Sequence, residues 1–317
     1  MRKYVFGPIA SRRLGISLGV DLVPAKTCSL DCIYCEAKAT TCLTVERKEY
    51  VPVDAVTAEL DEVLRSAPAL DYITFSGAGE PTLNSRIGDV VSFLKEHYPR
   101  YPVCLLTNGC SFSDPVLVNE IAAVDRIIPS LDASCQAEFQ QINRPAPELD
   151  FDTFAENLIR FTRQSKAEIY LELFIVPGVN DSDGSIERFV RLIRQMRLNG
   201  VQLNTLDRPG IADWLTPSTP ANTRRFIAAL EPFVPVEAIG KFRYRSTHPA
   251  WNNNTACEAE KQLLEALRQA PGTVGELVQR TGIPEERLRV LADSLCKFEL
   301  ADREDSPEEL RYSARPE

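Results

Sequence analysis

Short runs of apolar and β-branched residues alternate with amphipathic stretches from about residue 18 to about residue 240. Near-continuous apolar runs are typical of parallel strands that are covered on both faces. The pattern therefore predicts a series of buried strands along this part of the chain. They are Leu18–Val23, Tyr72–Ser76, Pro102–Leu106, Arg126–Leu131, Glu168–Val176 and Val201–Leu206.

The stretches between these strands have the 3.6-residue periodicity of helices that bury one face. Repeated strand–helix units favour a parallel α/β barrel or a doubly wound sheet, and about six units are too few for a closed eight-fold barrel. We predict an α/β protein with a partial, TIM-like (βα)6 barrel. The clearest helical faces are formed by Val53, Val56, Leu60, Val63 and Leu64, and by Phe189, Leu192, Ile193 and Met196.

The pattern changes near residue 208. Residues 208–256 are rich in Pro, Asn and Thr, which predicts an irregular segment. Three short helical patterns, a turn at Gly282 and a polar tail suited to a hairpin follow, as in a winged helix. We predict a barrel domain with an N-terminal arm (1–245), a linker (246–256) and a small winged-helix-like domain (257–317). Its apolar helix positions are Leu263, Leu264 and Leu267; Val274, Leu277 and Val278; and Leu288, Leu291, Leu295 and Phe298.

Composition and charge narrow the functional classes. The chain has 317 residues, of which 44% are hydrophobic, and a net charge of −9. No run of about eighteen apolar residues occurs, and the N-terminus lacks the apolar segment of a signal peptide, so a soluble cytoplasmic protein with no membrane partner is expected. A broad nucleic-acid-binding surface is disfavoured, because phosphate backbones are bound by basic stripes. Residues 257–317 carry nine Lys and Arg against fourteen Asp and Glu, which favours a partner-binding, dimerising or substrate-positioning module over DNA binding.

Three of the nine cysteines, Cys28, Cys32 and Cys35, lie within eight residues. Such usage indicates metal chemistry in a reducing compartment and not a disulfide framework. Three thiolates at this spacing can cap three corners of an iron–sulfur cubane and leave the fourth iron without a protein ligand. A zinc site is one alternative, although His97 and His248 are far away in sequence. Buried free cysteines are the other alternative.

These residues resemble the cluster motif of the radical S-adenosylmethionine (SAM) superfamily, which has the form Cys-x3-Cys-x-aromatic-Cys with Tyr34 as the aromatic residue. Three further segments match the superfamily in the expected order. Each segment follows a predicted strand, where parallel α/β folds gather their sites. They are residues 76–82, with Gly77, Gly79, Glu80 and Pro81; residues 106–109, with Thr107 and Asn108; and residues 130–132, with Ser130 and Asp132.

The resemblance implies a [4Fe-4S] cluster on the three cysteines, with an open iron that binds the amino and carboxylate groups of SAM. It implies that the backbone of the Gly-Glu-Pro segment receives the SAM amino group and that the polar strand ends meet the methionine carboxylate and the ribose. A one-electron reductant of the flavodoxin or ferredoxin type is the implied partner. Reduction would cleave SAM to methionine and a 5′-deoxyadenosyl radical, which takes a hydrogen from the substrate. Tyr34 is expected to pack on the adenine or to be a core aromatic.

A narrower resemblance covers residues 6–24 and 202–210, which look like a bacterial and archaeal group associated with wyosine-type tRNA-modifying enzymes. It implies tRNA as one possible substrate, together with peptides, proteins and small molecules. The net charge does not favour tRNA.

Several basic residues are candidates for substrate binding because guanidinium groups suit phosphates and carboxylates. They are Arg12, Arg13, Arg144 and Arg208, and Asn143 shares their interpretation. The alternative is that the arginines pair with acidic residues at the barrel rim.

Two further alternatives concern the whole site. Cys42, Cys104, Cys110 and Cys135 are candidates for a second cluster, but they lack tight ligand spacing, so buried or idle thiols are favoured. The rival to an enzyme is an iron–sulfur redox-sensing regulator in which the cluster controls the C-terminal module. The acidic third helix counts against that function.

Overall fold

The computed structural model of the chain describes residues 2–11, 13–208, 210–239, 242, 244, 246, 248, 255–297, 300–305 and 310–315. Strands and helices alternate over most of them. The strands are β1 (Val5–Ser11), β2 (Gly15–Val20), β3 (Thr27–Cys28), β4 (Cys42–Leu43), β5 (Tyr72–Phe75), β6 (Val103–Thr107), β7 (Arg126–Pro129), β8 (Glu168–Phe174), β9 (Gly200–Asn204), β10 (Val236–Ala238), β11 (Gly272–Thr273), β12 (Ala301–Asp305) and β13 (Leu310–Ala314). The helices are α1 (Val53–Leu64), α2 (Ile87–His97), α3 (Pro115–Glu120), α4 (Gln136–Glu138), α5 (Phe151–Gln164), α6 (Asp183–Ile193), α7 (Pro220–Leu230), α8 (Thr255–Gln269), α9 (Val274–Thr281) and α10 (Glu285–Lys297), with a 3-10 turn at Pro81–Leu83 and a π-helical turn at Phe139–Asn143.

The main sheet of the described residues has eight strands in the order β1-β2-β5-β6-β7-β8-β9-β10. Strands β2 and β5 to β10 are parallel to one another, and β1 pairs antiparallel with β2. The parallel strands place their carboxyl ends along one edge of the sheet, and the loops that leave those ends are brought together.

The α/β class with a parallel, partial-barrel sheet is confirmed, and each of the six predicted strands is present. Their ends shift by up to three residues. The first parallel strand begins at Gly15 because it pairs with β1, which the pattern did not predict, at Ser11↔Gly15. The other strand of the main sheet that the pattern missed is β10, which has three residues and gives too little periodicity to detect.

The prediction of an irregular segment over residues 208–256 is wrong for part of its length, because α7 and β10 lie within it. Thr219 caps α7 by accepting a hydrogen bond from the Asn222 backbone, and Pro220 occupies the first turn. Both residue types are common at helix starts, so a composition rich in Pro, Asn and Thr also suits a helix N-terminus.

The outer face of the sheet packs against the helices to form the main core, as the 3.6-residue pattern predicts. In α1, Val53, Val56, Leu60 and Leu64 are buried against the strands. Among the described residues, no helix is long and apolar enough to cross a membrane.

The C-terminal residues form a separate apolar cluster from α8, α9 and α10 with the strands β11, β13 and β12. The three predicted helices and the hairpin are therefore present, while the winged-helix assignment and the domain boundaries remain predictions. Arg287 on α10 donates to Asp71 at 2.8 Å, and Asp71 immediately precedes β5. The C-terminal unit thus contacts the amino end of the parallel strands, opposite to the cysteine loop.

Candidate active site

The cysteine loop leaves the carboxyl end of β2 and carries Cys28, Cys32 and Cys35, all partly buried. Its first part is fixed by the parallel pairing of β3 with β4. Its centre is held by the π-helical turn, because the backbone N–H groups of Asp31 and Ile33 donate to Asn143 and Ile142 at 2.9 Å each. The backbone on both sides of Cys32 is therefore fixed by a segment more than one hundred residues away in the sequence.

Each of the three sulfur atoms accepts a hydrogen bond from a side-chain nitrogen. N–H groups aimed at sulfur stabilise the negative charge of a thiolate or of an iron–sulfur cluster. The bonds run from Lys26 Nζ to Cys35 Sγ at 3.3 Å, from Asn143 Nδ2 to Cys32 Sγ at 3.4 Å, and from Asn108 Nδ2 to Cys28 Sγ at 3.6 Å.

The three thiols lie close enough for the charge of one to affect the pKa of another. Burial raises the pKa of Cys28 to about 12, with Glu80 and Cys35 adding to the rise. Burial also raises the pKa of Cys32 well above its ordinary value, with further contributions from Asp132, Cys28 and Cys35. Within the described residues, no group of three or more His, Cys, Asp or Glu side chains is placed so that it could hold a single metal ion. The donor chemistry fits an iron–sulfur cluster all the same: three neighbouring thiols with N–H groups directed at their sulfurs.

The glycine-rich loop after β5 crosses the cysteine loop at very short range. The Glu80 N–H donates to the Thr27 carbonyl at 3.0 Å, and the Lys26 N–H donates to the Ala78 carbonyl at 2.6 Å. A Cβ on Gly79 would lie 2.3 Å from the Thr27 carbonyl oxygen. Only glycine permits this approach, so the residue type at position 79 sets the distance between the two loops.

Gly77 serves the same loop in a different way. Its φ is +128°, and a Cβ there would lie 1.5 Å from Asp21 Oδ1. The same carboxylate accepts the Ala78 N–H at 3.3 Å. Gly77 is exposed at the rim, whereas Pro81 is buried and starts the 3-10 turn.

The Glu80 side chain is turned into the protein and is 3% exposed. Its carboxylate accepts from the Thr107 hydroxyl at 2.7 Å, from the Asn108 N–H at 2.8 Å, and from the hydroxyl and N–H of Thr82 at 2.6 and 3.1 Å. Burial raises the pKa of Glu80, and these donors oppose the rise. Glu80 therefore links the glycine-rich loop to the end of β6 and fixes Asn108 beside Cys28.

Asp132, after β7, has a comparable position. Its carboxylate accepts from the Tyr34 hydroxyl at 2.5 Å, from Asn143 Nδ2 at 2.9 Å and from the Phe174 N–H at 3.0 Å. One face of the Tyr34 ring is stacked on Phe174, with centroids 3.9 Å apart and planes at 8°. One side of Tyr34 is thus covered by the protein, while the residue also lines a cavity beside the loops. Ser130 lies between Asp132 and β7, half-buried, and bridges to Glu172 through its backbone.

A cavity of about 580 Å³ opens beside these loops at the carboxyl end of the strands. It adjoins a second cavity of about 680 Å³, and residues 205–208 line both. Apolar and charged groups are mixed in its wall, which includes Arg13, Tyr34, Cys35, Gly77, Glu172 and Arg208.

The candidate substrate residues carry carboxylate partners, which is the alternative that the sequence left open. Arg12 lies outside the described residues. Substrate contact by the remaining three stays a prediction. The pairs are Arg13 with Glu172, Arg208 with Glu36 at 2.8 Å, and Arg144 with Asp31 at 3.7 Å.

The other cysteines differ in their surroundings. Cys42 is exposed and Cys104 is buried within β6, while Cys110 and Cys135 are partly buried. Burial raises the pKa of Cys110 well above its ordinary value, and the charges of Glu80 and Cys28 add to the rise, which places Cys110 near the cysteine loop. A second cluster on these residues remains a prediction.

Sequence reasoning missed Lys26 and assigned Asn143 to the substrate. Lys26 is buried and has φ +65°, which is rare for a residue with a side chain. Its position two residues before the first cysteine was the only available signal. Asn143 carried no signal for sulfur, because Cys32 lies 111 residues before it in the chain.

Comparison with known proteins identifies relatives of the chain. The family model of the Radical SAM superfamily matches residues 22–193, a span that contains the cysteine loop, the glycine-rich loop and the ends of β6 and β7. The chain is 38% identical over 206 residues to a protein of Brachyspira hyodysenteriae named GTPase Obg, and this match covers 65% of the chain and 30% of that protein. It is 32% identical over 209 residues to a UPF0026 protein of Helicobacter pylori, covering 65% of the chain and 67% of that protein.

Among solved structures, a radical SAM methyltransferase from Sphaerobacter thermophilus superposes with a TM-score of 0.56. The two chains are 19% identical, and the match covers 70% of this chain and 65% of that one. This similarity shows a shared fold. The chain spans only about 30% of the length of the Brachyspira protein, so the activity in that protein's name is not carried over to this chain.

Proposed function

The chain belongs to the radical SAM superfamily, and we propose that it is an enzyme in which Cys28, Cys32 and Cys35 hold a [4Fe-4S] cluster beside a SAM-binding loop at residues 77–81. The observation that carries the proposal is the close crossing of the cysteine loop and the glycine-rich loop. A ligand in the cavity that Cys35, Gly77 and Ala78 line would lie against both loops.

A cluster held by Cys28, Cys32 and Cys35 would supply the electron for reductive cleavage of SAM at its sulfonium. The chain's own residues hold and orient the reactants. Glu80 fixes the glycine-rich loop to the end of β6, and Asp132 fixes Tyr34 beside the cavity.

We propose that the electron comes from a small protein of the flavodoxin or ferredoxin type. Members of the superfamily need an electron donor, and the three cysteine residues are partly exposed. We propose further that the hydrogen donor occupies the 580 Å³ cavity, since Tyr34, Cys35 and Gly77 line it together with the charged pair Arg13 and Glu172.

Anaerobic turnover tests the proposal. The reconstituted protein, given dithionite and SAM, is expected to show the visible absorbance of a cluster and to release 5′-deoxyadenosine. Cys32→Ala should abolish both, because it removes one of three ligands. Cys42→Ala is the matched control: it changes an exposed cysteine on the neighbouring strand β4 and should leave both signals. Retention of both signals in Cys32→Ala would refute the assignment of Cys32 as a cluster ligand. If wild-type protein assembles its cluster but releases no 5′-deoxyadenosine, the proposed enzymatic activity is refuted.

A further inference from the structure

The N–H groups directed at the three cysteine sulfurs suit a cluster, but the proposed function assigns no particular effect to any of them. Two of the three nitrogen atoms belong to buried residues: Asn143 is 3% exposed and Lys26 is 9% exposed. Burying an amide or an ammonium group is costly unless the group has a partner. For each residue the sulfur of a cysteine is such a partner, at 3.4 Å for Asn143 and 3.3 Å for Lys26.

The position of Asn143 is fixed by its backbone as well as by its hydrogen bond to sulfur. It is the last residue of the π-helical turn, and Arg144 after it has the left-handed φ of +44°. The turn also accepts the backbone N–H groups on both sides of Cys32. The same segment therefore positions the backbone of Cys32 and directs an amide at its sulfur. π-Helical turns are rare, and those that occur are frequently found at functional sites.

The Asn143 amide has a second acceptor, Asp132 Oδ2, at 2.9 Å. This bond orients the amide so that its NH2 group, and not its oxygen, faces the sulfur. Asp132 is in turn fixed by Tyr34 and by the Phe174 N–H. The donor to Cys32 is thus part of a rigid chain of hydrogen bonds that reaches the cavity wall.

We propose that Asn143 and Lys26, with Asn108 as a third and longer contact, raise the reduction potential of the iron–sulfur cluster by hydrogen bonding to its cysteine sulfurs. The inference rests on the proposed function, because it presumes a cluster on these cysteines. A reduced cluster carries one more negative charge than an oxidised one, so N–H dipoles and an ammonium group at the sulfurs stabilise the reduced form more. Asn143 and Lys26 are positioning residues in this account, since they act through Cys32 and Cys35.

The test is a redox titration of the reconstituted cluster without SAM. Electron paramagnetic resonance monitors the reduced cluster and gives its reduction potential. Asn143→Leu keeps a similar side-chain size and removes the donor. It should lower the equilibrium constant for one-electron reduction about tenfold, which corresponds to about 59 mV. Lys26→Met keeps the unbranched stem, removes the charge and should shift the potential in the same direction.

Asn180→Leu is the matched control. Asn180 is fully buried, and its amide donates to the carbonyls of Asp132 and Phe174 at 2.8 Å each and accepts the Val176 N–H, so its hydrogen bonds within the described residues go to backbone groups. It should leave the potential unchanged. An equal shift in Asn180→Leu, or unchanged potentials in Asn143→Leu and Lys26→Met, would overturn the inference.

The outcomes also separate this inference from the proposed function. A wild-type protein that assembles no cluster would defeat the proposed function. A wild-type protein that assembles its cluster and cleaves SAM, combined with unaltered potentials in the variants, would defeat the tuning role alone. If Asn143→Leu does not fold, Lys26→Met and Asn108→Leu decide the question.

Discussion

At the scale of single residues, the candidate site depends on close contacts that tolerate almost no added volume. The glycine-rich loop and the cysteine loop are joined by backbone hydrogen bonds in both directions, and Gly79 lies where they cross. The carboxylates of Glu80 and Asp132 do not face open space but hold neighbouring loops. Glu80 and Asp132 therefore follow strand ends because they hold the loops of the site in place, and not only because a ligand binds there.

Gly79→Ala should separate the two loops, because its Cβ would meet a backbone oxygen that has no room to move. Accommodating such overpacking costs about 1–3 kcal/mol, so SAM affinity should fall about tenfold or more while the cluster still assembles. Equilibrium binding of SAM to anaerobically reconstituted protein measures the effect. Gly184→Ala, whose Cβ would make an ordinary contact of 3.4 Å in α6, should bind SAM as wild type does. Equal affinities for the two variants would contradict the steric role of Gly79.

At the scale of elements, local signals decide where helices begin and end. In α9, Thr273 and Glu276 form a capping box, with Thr273 N–H donating to Glu276 at 2.9 Å, and Gly282 closes the helix with φ +69°. These signals lie within ten residues of one another, so the sequence predicted the helix and its turn at Gly282. The start of α7 has signals of the same kind, but its polar composition hid them.

Two glycines near α9 give opposite predictions for the same substitution. Gly282→Ala forces alanine into the left-handed region and should destabilise the end of α9 by about 1–2 kcal/mol. Gly275→Ala lies within the helix with open space around its Cβ and should stabilise it by about 0.5–1 kcal/mol. Hydrogen exchange of the α9 amides measures both changes. Changes of the same sign in the two variants would contradict this assignment of the helix boundary.

At the scale of the whole molecule, the strand order brings the chemistry to one end of the sheet and the C-terminal unit to the other. Arg287 and Asp71 connect α10 to the amino end of β5, and Asp71 also accepts the Ile16 N–H at 2.8 Å. The net charge of −9 does not favour tRNA binding, and the association with wyosine-type enzymes remains a prediction.

Arg287→Met should loosen α10 without altering SAM cleavage, because the contact lies far from the cysteine loop. A hydrogen bond between charged groups contributes about 1.5–3 kcal/mol, so exchange of the α10 amides should accelerate about tenfold or more. Arg289→Met removes an exposed pair with Glu285 in the same helix and should change exchange little. A loss of 5′-deoxyadenosine production in Arg287→Met would show that the C-terminal unit takes part in the reaction.

The sequence by itself determined the α/β class, the six main parallel strands and the cysteine spacing, because hydrophobic period, caps and ligand spacing are local properties. It also placed Gly79, Glu80, Asn108 and Asp132 after strand ends, and the parallel order explains why those ends meet. Only the tertiary structure decided which groups contact the sulfurs. Asn143 reaches Cys32 across 111 residues because the π-helical turn after β7 folds over the loop after β2. Such a contact depends on the order of strands in the sheet, which no local pattern encodes.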